Sequence, residues 1–312
     1  MKKSLLFLLA VLCLAVFAAN AGAEEADQPE WTVMFYMCGS DLESRYGYAT
    51  DNMVEIITTH DLYATYSKMA EEYHFETGDA VSSSDRKVQV VLQTGGCKEW
   101  HNNEGEVRTT DTDIRTDVLQ RWSYDPYELT DSPMIHFQQE LPLQSMADPE
   151  TLTDFIRWSK TNYPAKKYML VLWDHGGGSR TGIFVDELFD NDIMFLYELE
   201  QALKDGGSGL EAVLFDACMM ANIETACAIE DSARWMIASE EVVTGEGTAI
   251  NFWLKELCNR PEMDGMKLGR IICDSAQEKC ADLGDEQGAQ LLTWSVIDLK
   301  KIDEVADYME TS

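Results

Sequence analysis

Six short runs of apolar, β-branched and aromatic residues recur along the chain, each bounded by polar or turn residues: Trp31–Met37, Val88–Gln93, Tyr168–Trp173, Glu211–Phe215, Trp235–Ala238 and Leu292–Ile297. Most are continuously apolar. A strand with one wet face would alternate, so unbroken runs mark strands covered on both faces. Helix-length segments lie between them: Ser40 to about Ala70, Pro149–Asn162, Asp192–Lys204 and Met219–Glu230. Strands alternating with helices, with both strand faces buried, predict an α/β fold: a three-layer α-β-α sandwich around a mostly parallel sheet of about six main strands. The stretch from Trp100 to Leu143 breaks this rhythm. It carries Thr109-Thr110-Asp111-Thr112-Asp113, Tyr124-Asp125-Pro126-Tyr127 and the extended-looking Met134–Gln139, and is expected to form hairpins and loops inserted ahead of the third main strand.

Residues 1–23 read as a signal peptide. Lys2 and Lys3 precede an apolar run from Leu5 to Ala18, and small residues then line up as Ala19-Asn20-Ala21 and Ala21-Gly22-Ala23 ahead of Glu24. A run of about 14 residues is shorter than the roughly 20 that a membrane-spanning helix needs, and Cys13 lacks a small-residue lipobox. The expectation is export, with the mature chain secreted, periplasmic or at the cell surface, and no membrane partner once the leader is cut. Residues 24–312 are expected to form one domain. After Ile302 the chain ends either in a short helix or as a truncated piece. Loss of the two leader lysines takes the formal charge from −32 to −34. Such a surface cannot neutralise phosphates, so nucleic acid is excluded as a partner. Seven cysteines remain beyond Cys13, namely Cys38, Cys97, Cys218, Cys227, Cys258, Cys273 and Cys280. An odd number leaves at least one thiol without an intrachain partner. No CxxC or closely spaced histidine pair supports a structural zinc site.

Two strand ends carry chemistry. One apolar run, Tyr168–Trp173, leads through Asp174 into His175 and three glycines, Gly176-Gly177-Gly178. Another, starting at Leu210, leads through Asp216-Ala217 into Cys218, where a helical pattern begins. In an open parallel sheet the carboxyl edge is the usual place for a site. Two successive strands would deposit the His and the Cys on that same edge, and the 43 residues between them leave room for one crossover helix and a loop. A thiol at a helix start is biased toward thiolate. An acyl-transfer site follows, with Cys218 as nucleophile, His175 as acid and base, and the N–H groups of Gly176 and Cys218 as oxyanion donors. No third residue is required. Asp174 should point to the other side of its strand and is not assigned as an orienter. His60, His74, His101 and His136 have no strand-end cysteine beside them, and Cys227 reads as buried in a helix.

With these residues in place, Trp173-Asp174-His175-Gly176-Gly177-Gly178 and Phe215-Asp216-Ala217-Cys218-Met219-Met220 resemble the histidine and cysteine motifs of the clostripain family of cysteine peptidases. Further stretches agree in order: Met34-Phe35-Tyr36-Met37-Cys38-Gly39-Ser40-Asp41-Leu42-Glu43, Leu152–Trp158 with Asn162–Ala165, Ala238–Glu241 and Trp294–Leu299. The resemblance implies a caspase-like fold and endopeptidase activity after basic P1 residues, arginine first and lysine second, on protein or peptide substrates taken by a monomer. The caspase pattern itself is not met, since Asp216 precedes Ala217 and methionines follow Cys218. A basic P1 side chain needs a carboxylate in the pocket, because guanidinium and carboxylate pair bidentately. Asp216 is the nearest candidate. Glu240, Glu241 and Glu246 lie in the loop after the following strand, and Glu246, flanked by glycines, is the best placed of them.

The resemblance also raises processing after a basic residue between the two motifs. Arg180 and Lys204 are available there, and Lys204, ahead of Asp205-Gly206-Gly207 in an expected exposed loop, is preferred. No cofactor is required. Calcium is used by some relatives, and Asp186, Glu187, Asp190 and Asp192 offer oxygens without a recognised loop spacing. The competing reading, from another class, is a catalytically silent binding or adhesion protein that kept the fold.

Overall fold

A computed structural model describes residues 28–59, 86–102, 105, 107–128, 132–282 and 292–311. The signal peptide, His60, His74 and the end of the helix expected to reach Ala70 lie outside these residues. The six expected runs appear as β1 (Trp31–Cys38), β2 (Val88–Gly95), β5 (Lys167–Trp173), β8 (Leu210–Asp216), β9 (Ala233–Ser239) and β10 (Trp294–Asp298). All belong to one sheet of eight strands. Its order is β10-β9-β8-β5-β1-β2-β3-β4, where β3 is Val118–Tyr124 and β4 is His136–Pro142. The inner five strands are parallel, β10 pairs antiparallel with β9 on one side, and on the other β3 pairs antiparallel with β2 and β4 antiparallel with β3. The insertion expected as separate hairpins is therefore a continuation of the sheet, which widens it beyond the six main strands expected.

β1 shows why continuous apolarity is needed. All eight of its residues are buried, and alternate side chains feed two different cores. Trp31, Val33, Phe35 and Met37 pack with Met53 and Ile56 of a helix over 48–59, with Trp253 and Leu254 of the helix Ile250–Asn259, and with Leu268 and Ile272 of the helix Gly265–Asp282. Met34, Tyr36 and Cys38 face the opposite core, with Phe155 and Ile156 of Pro149–Asn162, Leu199 and Leu203 of Leu196–Gly207, and Ile229 of Ile223–Ile229. The three-layer sandwich follows from this division. The helix Pro149–Asn162 matches its expected bounds because its start is chemically marked. Asp148 accepts the Glu150 N–H at 2.8 Å, and Pro149 occupies the first turn, where no N–H partner is needed.

Three expected helices differ from the structure. The one expected from Ser40 to about Ala70 is broken at Gly47, whose φ of +73° ends a helix over Ser40–Tyr46 before a second starts at 48. The segment Asp192–Lys204 opens as a short strand, β7 (Asp192–Met194), paired with β6 (Ile183–Asp186), and turns helical only at Leu196. Met219–Glu230 is helical only over Ile223–Ile229. Met219 has φ +58°, Met219 N–H donates to Glu241 O, Ala221 N–H donates to Ser239 O, and Asn222 caps the Thr225 N–H. A left-handed residue and two ties to the end of β9 leave no helical path before Asn222.

Order around β1 places the site. The chain leaves β1 for β2 on one side and returns to β5 on the other, so the direction of winding reverses between β1 and β5. At such a point the carboxyl ends of neighbouring strands open a crevice. Among the described residues, no helix is long and apolar enough to cross a membrane.

Candidate active site

Register brings the two motif ends together. In the parallel pair β5 and β8, Trp173 lies opposite Asp216, so His175 and Cys218, each two residues further on, leave the same edge at the same level. The contact is direct through backbone. A Cβ added to Gly176 would lie 2.3 Å from Cys218 O and 3.1 Å from Cys218 N, so only glycine permits this approach. Among the described residues, the N–H groups of Gly176 and Cys218 donate no hydrogen bond, whereas Gly177 N–H is taken by Gly182 O. Backbone N–H groups without an acceptor are the kind of donor that an oxyanion needs.

The histidine is held from β1. His175 Nε2 lies 2.7 Å from Asp41 Oδ1, and Arg45 approaches the other oxygen, Oδ2, at 3.4 Å. One residue earlier on each segment, Ser40 Oγ donates to Asp174 Oδ1 at 2.5 Å, while Asp174 Oδ2 accepts the Val185 N–H at 2.6 Å. Consecutive residues after β1 thus bind consecutive residues after β5, Ser40 to Asp174 and Asp41 to His175. Ser40 adopts φ +48° to make this double tie, a strained backbone of the kind found where a site demands it. Asp174 spends its two carboxylate oxygens on Ser40 and Val185. Asp41, absent from the expected site, is the carboxylate that the structure places on the His175 ring, and its place in Gly39-Ser40-Asp41-Leu42, immediately after the first strand, was the available signal.

Cys218 is half-buried. Its sulfur accepts the Val243 N–H at 3.4 Å and sits 4.0 Å from Val243 O. Neither of the two side chains, Cys218 and His175, hydrogen-bonds to the other. Burial raises the Cys218 thiol pKa, the Val243 N–H opposes that rise, and the nearby Asp216 carboxylate adds to it. The expected thiolate bias from a helix start is not realised, because the helix begins five residues later, at Ile223. Deprotonation therefore falls to a base.

Asp216 is buried at 4% exposure, with Oδ2 accepting the Thr248 hydroxyl at 3.1 Å and the Thr248 N–H at 3.4 Å. Burial pushes its pKa up. Gly247, at φ +65°, lies over it; a Cβ there would stand 3.0 Å from both carboxylate oxygens. Asp216 is therefore at the floor of the loop that follows β9. Glu246 is half-buried in that loop, next to Gly247 and near Tyr48, whereas Glu240 and Glu241 are exposed. The structure thus brings together His175, Cys218, Gly176, Asp216 and the Glu246 loop.

It does not bring Lys204 to a loop. Lys204 lies inside the helix Leu196–Gly207, paired with Glu200 at 2.6 Å and Asp231 at 3.5 Å, so its backbone is tied into helical hydrogen bonds. Arg180 is exposed on a single turn, Gly178–Thr181. The acidic residues from Asp186 to Asp192 serve backbone and hydroxyl donors. Asp186 accepts the Met146 and Leu188 N–H groups, Asp192 accepts the Ser145 hydroxyl, and Glu187 accepts the Ser44 hydroxyl. Among the described residues, no group of three or more His, Cys, Asp or Glu side chains is arranged to hold a metal. Cys227 is half-buried, more accessible than expected, and all seven cysteines after the leader are free thiols. His101 and His136 pair with Glu43 and Glu128, away from the thiol.

Comparison with known proteins agrees with this geometry. A sequence model of the clostripain family matches residues 35–311. Clostripain of Hathewaya histolytica is 32% identical over 121 residues, covering 33% of this chain and 23% of the relative. The match therefore spans about a quarter of that relative's length. Among solved structures, a secreted C11 cysteine protease from Bacteroides thetaiotaomicron, in complex with an irreversible peptide inhibitor, superposes with TM-score 0.64 at 16% identity, over 89% of this chain and 69% of its own. An inactive zymogen C11 protease from Parabacteroides distasonis gives TM-score 0.59 at 21% identity, over 90% of this chain and 65% of its own. At these identities the likeness is one of fold, and it is the caspase-like fold that the sequence resemblance implied.

The buried carboxylates set a pH dependence. Burial raises Asp174 to about 7, and Glu55, Asp186 and Asp216 are also raised by burial. A carboxylate whose folded pKa exceeds its unfolded value binds its proton more tightly when folded. Its stabilisation is complete below the unfolded value, about 4, and is lost as pH rises through the folded value. The thermal midpoint of the Cys218→Ala protein is expected to fall between pH 4 and pH 7, and Asp174→Asn to flatten that fall; a midpoint that rises across this range would contradict the assignment.

Proposed function

The chain belongs to the clostripain family, and from that premise we propose that it is an exported cysteine endopeptidase that hydrolyses peptide bonds after arginine and, less readily, lysine. The observation that carries the reading is the packing of Gly176 against the Cys218 backbone, which sets a strand-end histidine and a strand-end thiol beside two unengaged N–H groups.

The proposed chemistry follows from what each group has to offer. Burial disfavours a standing thiolate, so His175 takes the Cys218 proton as the sulfur attacks the scissile carbonyl. With Nε2 on Asp41, Nδ1 is the ring nitrogen left to exchange that proton. Asp41 holds the ring and stabilises the imidazolium that forms. The N–H groups of Gly176 and Cys218 receive the oxyanion, His175 returns its proton to the leaving amine, and it then activates water to release the acyl group. The sulfur must first turn from Val243 toward the imidazole. These steps use no cofactor.

The proposed basic P1 preference rests on Asp216, two residues before the nucleophile and close enough to raise its pKa, and on Glu246 in the loop that covers Asp216. The sequence of residues 1–23 supports export, and the Bacteroides thetaiotaomicron neighbour is described as secreted.

Fluorogenic peptides with Arg, Lys, Asp and Asn at P1, offered to the mature chain and to Cys218→Ala with and without calcium and reductant, are expected to be cleaved after Arg and Lys by the former alone. No turnover would defeat the peptidase reading and favour a silent binding protein, whereas cleavage after Asp or Asn would defeat the acidic pocket. Asp41→Asn is expected to lower kcat on the order of 10–100-fold with a smaller change in KM; an unchanged kcat would remove Asp41 from the mechanism.

A further inference from the structure

A cation lies behind the proposed pocket. Lys279, on the helix Gly265–Asp282, reaches Glu55 Oε1 at 2.5 Å, Glu246 O at 2.7 Å and Thr248 O at 3.1 Å. An ammonium has three donors, and here all three are taken, so Lys279 is saturated by the protein and has none left for a substrate. Its side chain is 17% exposed, and that of Glu55 is 19% exposed. Glu55 Oε2 in turn accepts the Ile250 N–H at 2.8 Å, one step beyond the loop. Asn52, on the same helix as Glu55, donates to Glu246 O at 3.1 Å while accepting the Trp173 indole N–H at 2.8 Å.

Two carbonyls of one short turn, on either side of Gly247, are thus drawn to a single half-buried ammonium. Gly247 lies over Asp216, Thr248 bonds to Asp216, and Glu246 precedes Gly247 in the same turn, with its charge felt at Tyr48. Lys279 is also the cation nearest in effect to Asp216, whose charged form it favours. Its position therefore controls two quantities at once, the height of the turn above Asp216 and the balance of charge beneath it.

We infer that Lys279 is a positioning residue for P1 recognition, clamping the turn at 246–248 so that Asp216 and Glu246 present one acidic pocket to a basic side chain. The inference rests on the proposed basic P1 preference. A methionine at this position would remove three charge-assisted hydrogen bonds and leave Glu55 without its partner cation. The turn then lifts, and binding suffers more than chemistry, because Cys218 and His175 are carried by other strands. An arginine keeps the cation beside Glu55 and restores most of the clamp.

The test compares wild type, Lys279→Met, Lys279→Arg and Glu55→Gln, each normalised by active-site titration, on peptides with arginine or norleucine at P1. Lys279→Met is expected to raise KM for the arginine peptide about tenfold with kcat changed less than about threefold, and to narrow the preference for arginine over norleucine by a similar factor. Lys279→Arg is expected to return KM to within about threefold of wild type. An unchanged preference in Lys279→Met would overturn the inference, as would equal losses on both peptides, which mark a purely structural tie. If Lys279→Met fails to fold, Glu55→Gln decides: a raised KM confined to the arginine peptide supports the clamp, and an unchanged KM overturns it. The wild-type arm is read first. Absence of any arginine preference there defeats the proposed function and the inference with it, whereas a preference in wild type that survives in the variants defeats the inference alone.

Discussion

Parallel pairing of β5 with β8 is the constraint on which the site depends. Trp173 stands opposite Asp216, and a slip of one residue would turn His175 to the other face of the sheet. Gly176 then fixes the spacing, because its bare Cα lets the histidine loop touch the Cys218 backbone. Both strands are buried on two sides, so their register is held by two cores and not by the site itself. The chemistry is placed by packing that takes no part in it.

Around that pairing, two neighbouring strands and the helices on one face each add one control. β1 contributes Ser40 and Asp41, which bind Asp174 and His175 and so orient the imidazole. β9 is followed by the loop that meets the thiol at Val243 and covers Asp216 at Gly247. The helices on one face, through Glu55 and Lys279, hold that loop from behind. The loop after β5 that carries His175 is thus held from the segment after β1, whereas the loop after β9, which meets both the thiol and Asp216, is held from the helices.

Much of this was legible in the sequence. Continuous apolarity marked the six main strands because burial on both faces leaves no polar position to confuse the signal. Asp148 and Pro149 marked a helix start chemically. His175 and Cys218 stood out because each ends such a strand. What escaped notice depended on distant partners. The β3 and β4 insertion carries Gln138, Gln139 and Glu140 on an edge strand and reads as inserted hairpins and loops, yet it completes the main sheet. Met219 gave no sign of a left-handed backbone, which its ties to Glu241 and Ala221's tie to Ser239 impose. Lys204 beside two glycines reads as a loop, but Ala202 and Leu203 are buried and carry the helix past it to Gly207. Asp41 was visible as a residue and invisible as a partner, because only the order of β1 beside β5 brings it to His175.

The central claim is that Cys218, served by His175, is the nucleophile of a pocket for basic side chains. A peptidyl arginine chloromethyl ketone tests it directly, since it alkylates a thiol only where the arginine is bound beside it. Intact-mass analysis followed by peptide mapping is expected to find one equivalent of label, on Cys218, with labelling suppressed in His175→Ala and by an excess of an arginine-ended peptide. Label on Cys227, Cys273 or another thiol, or labelling of Cys218 that ignores the competing arginine, would contradict the account.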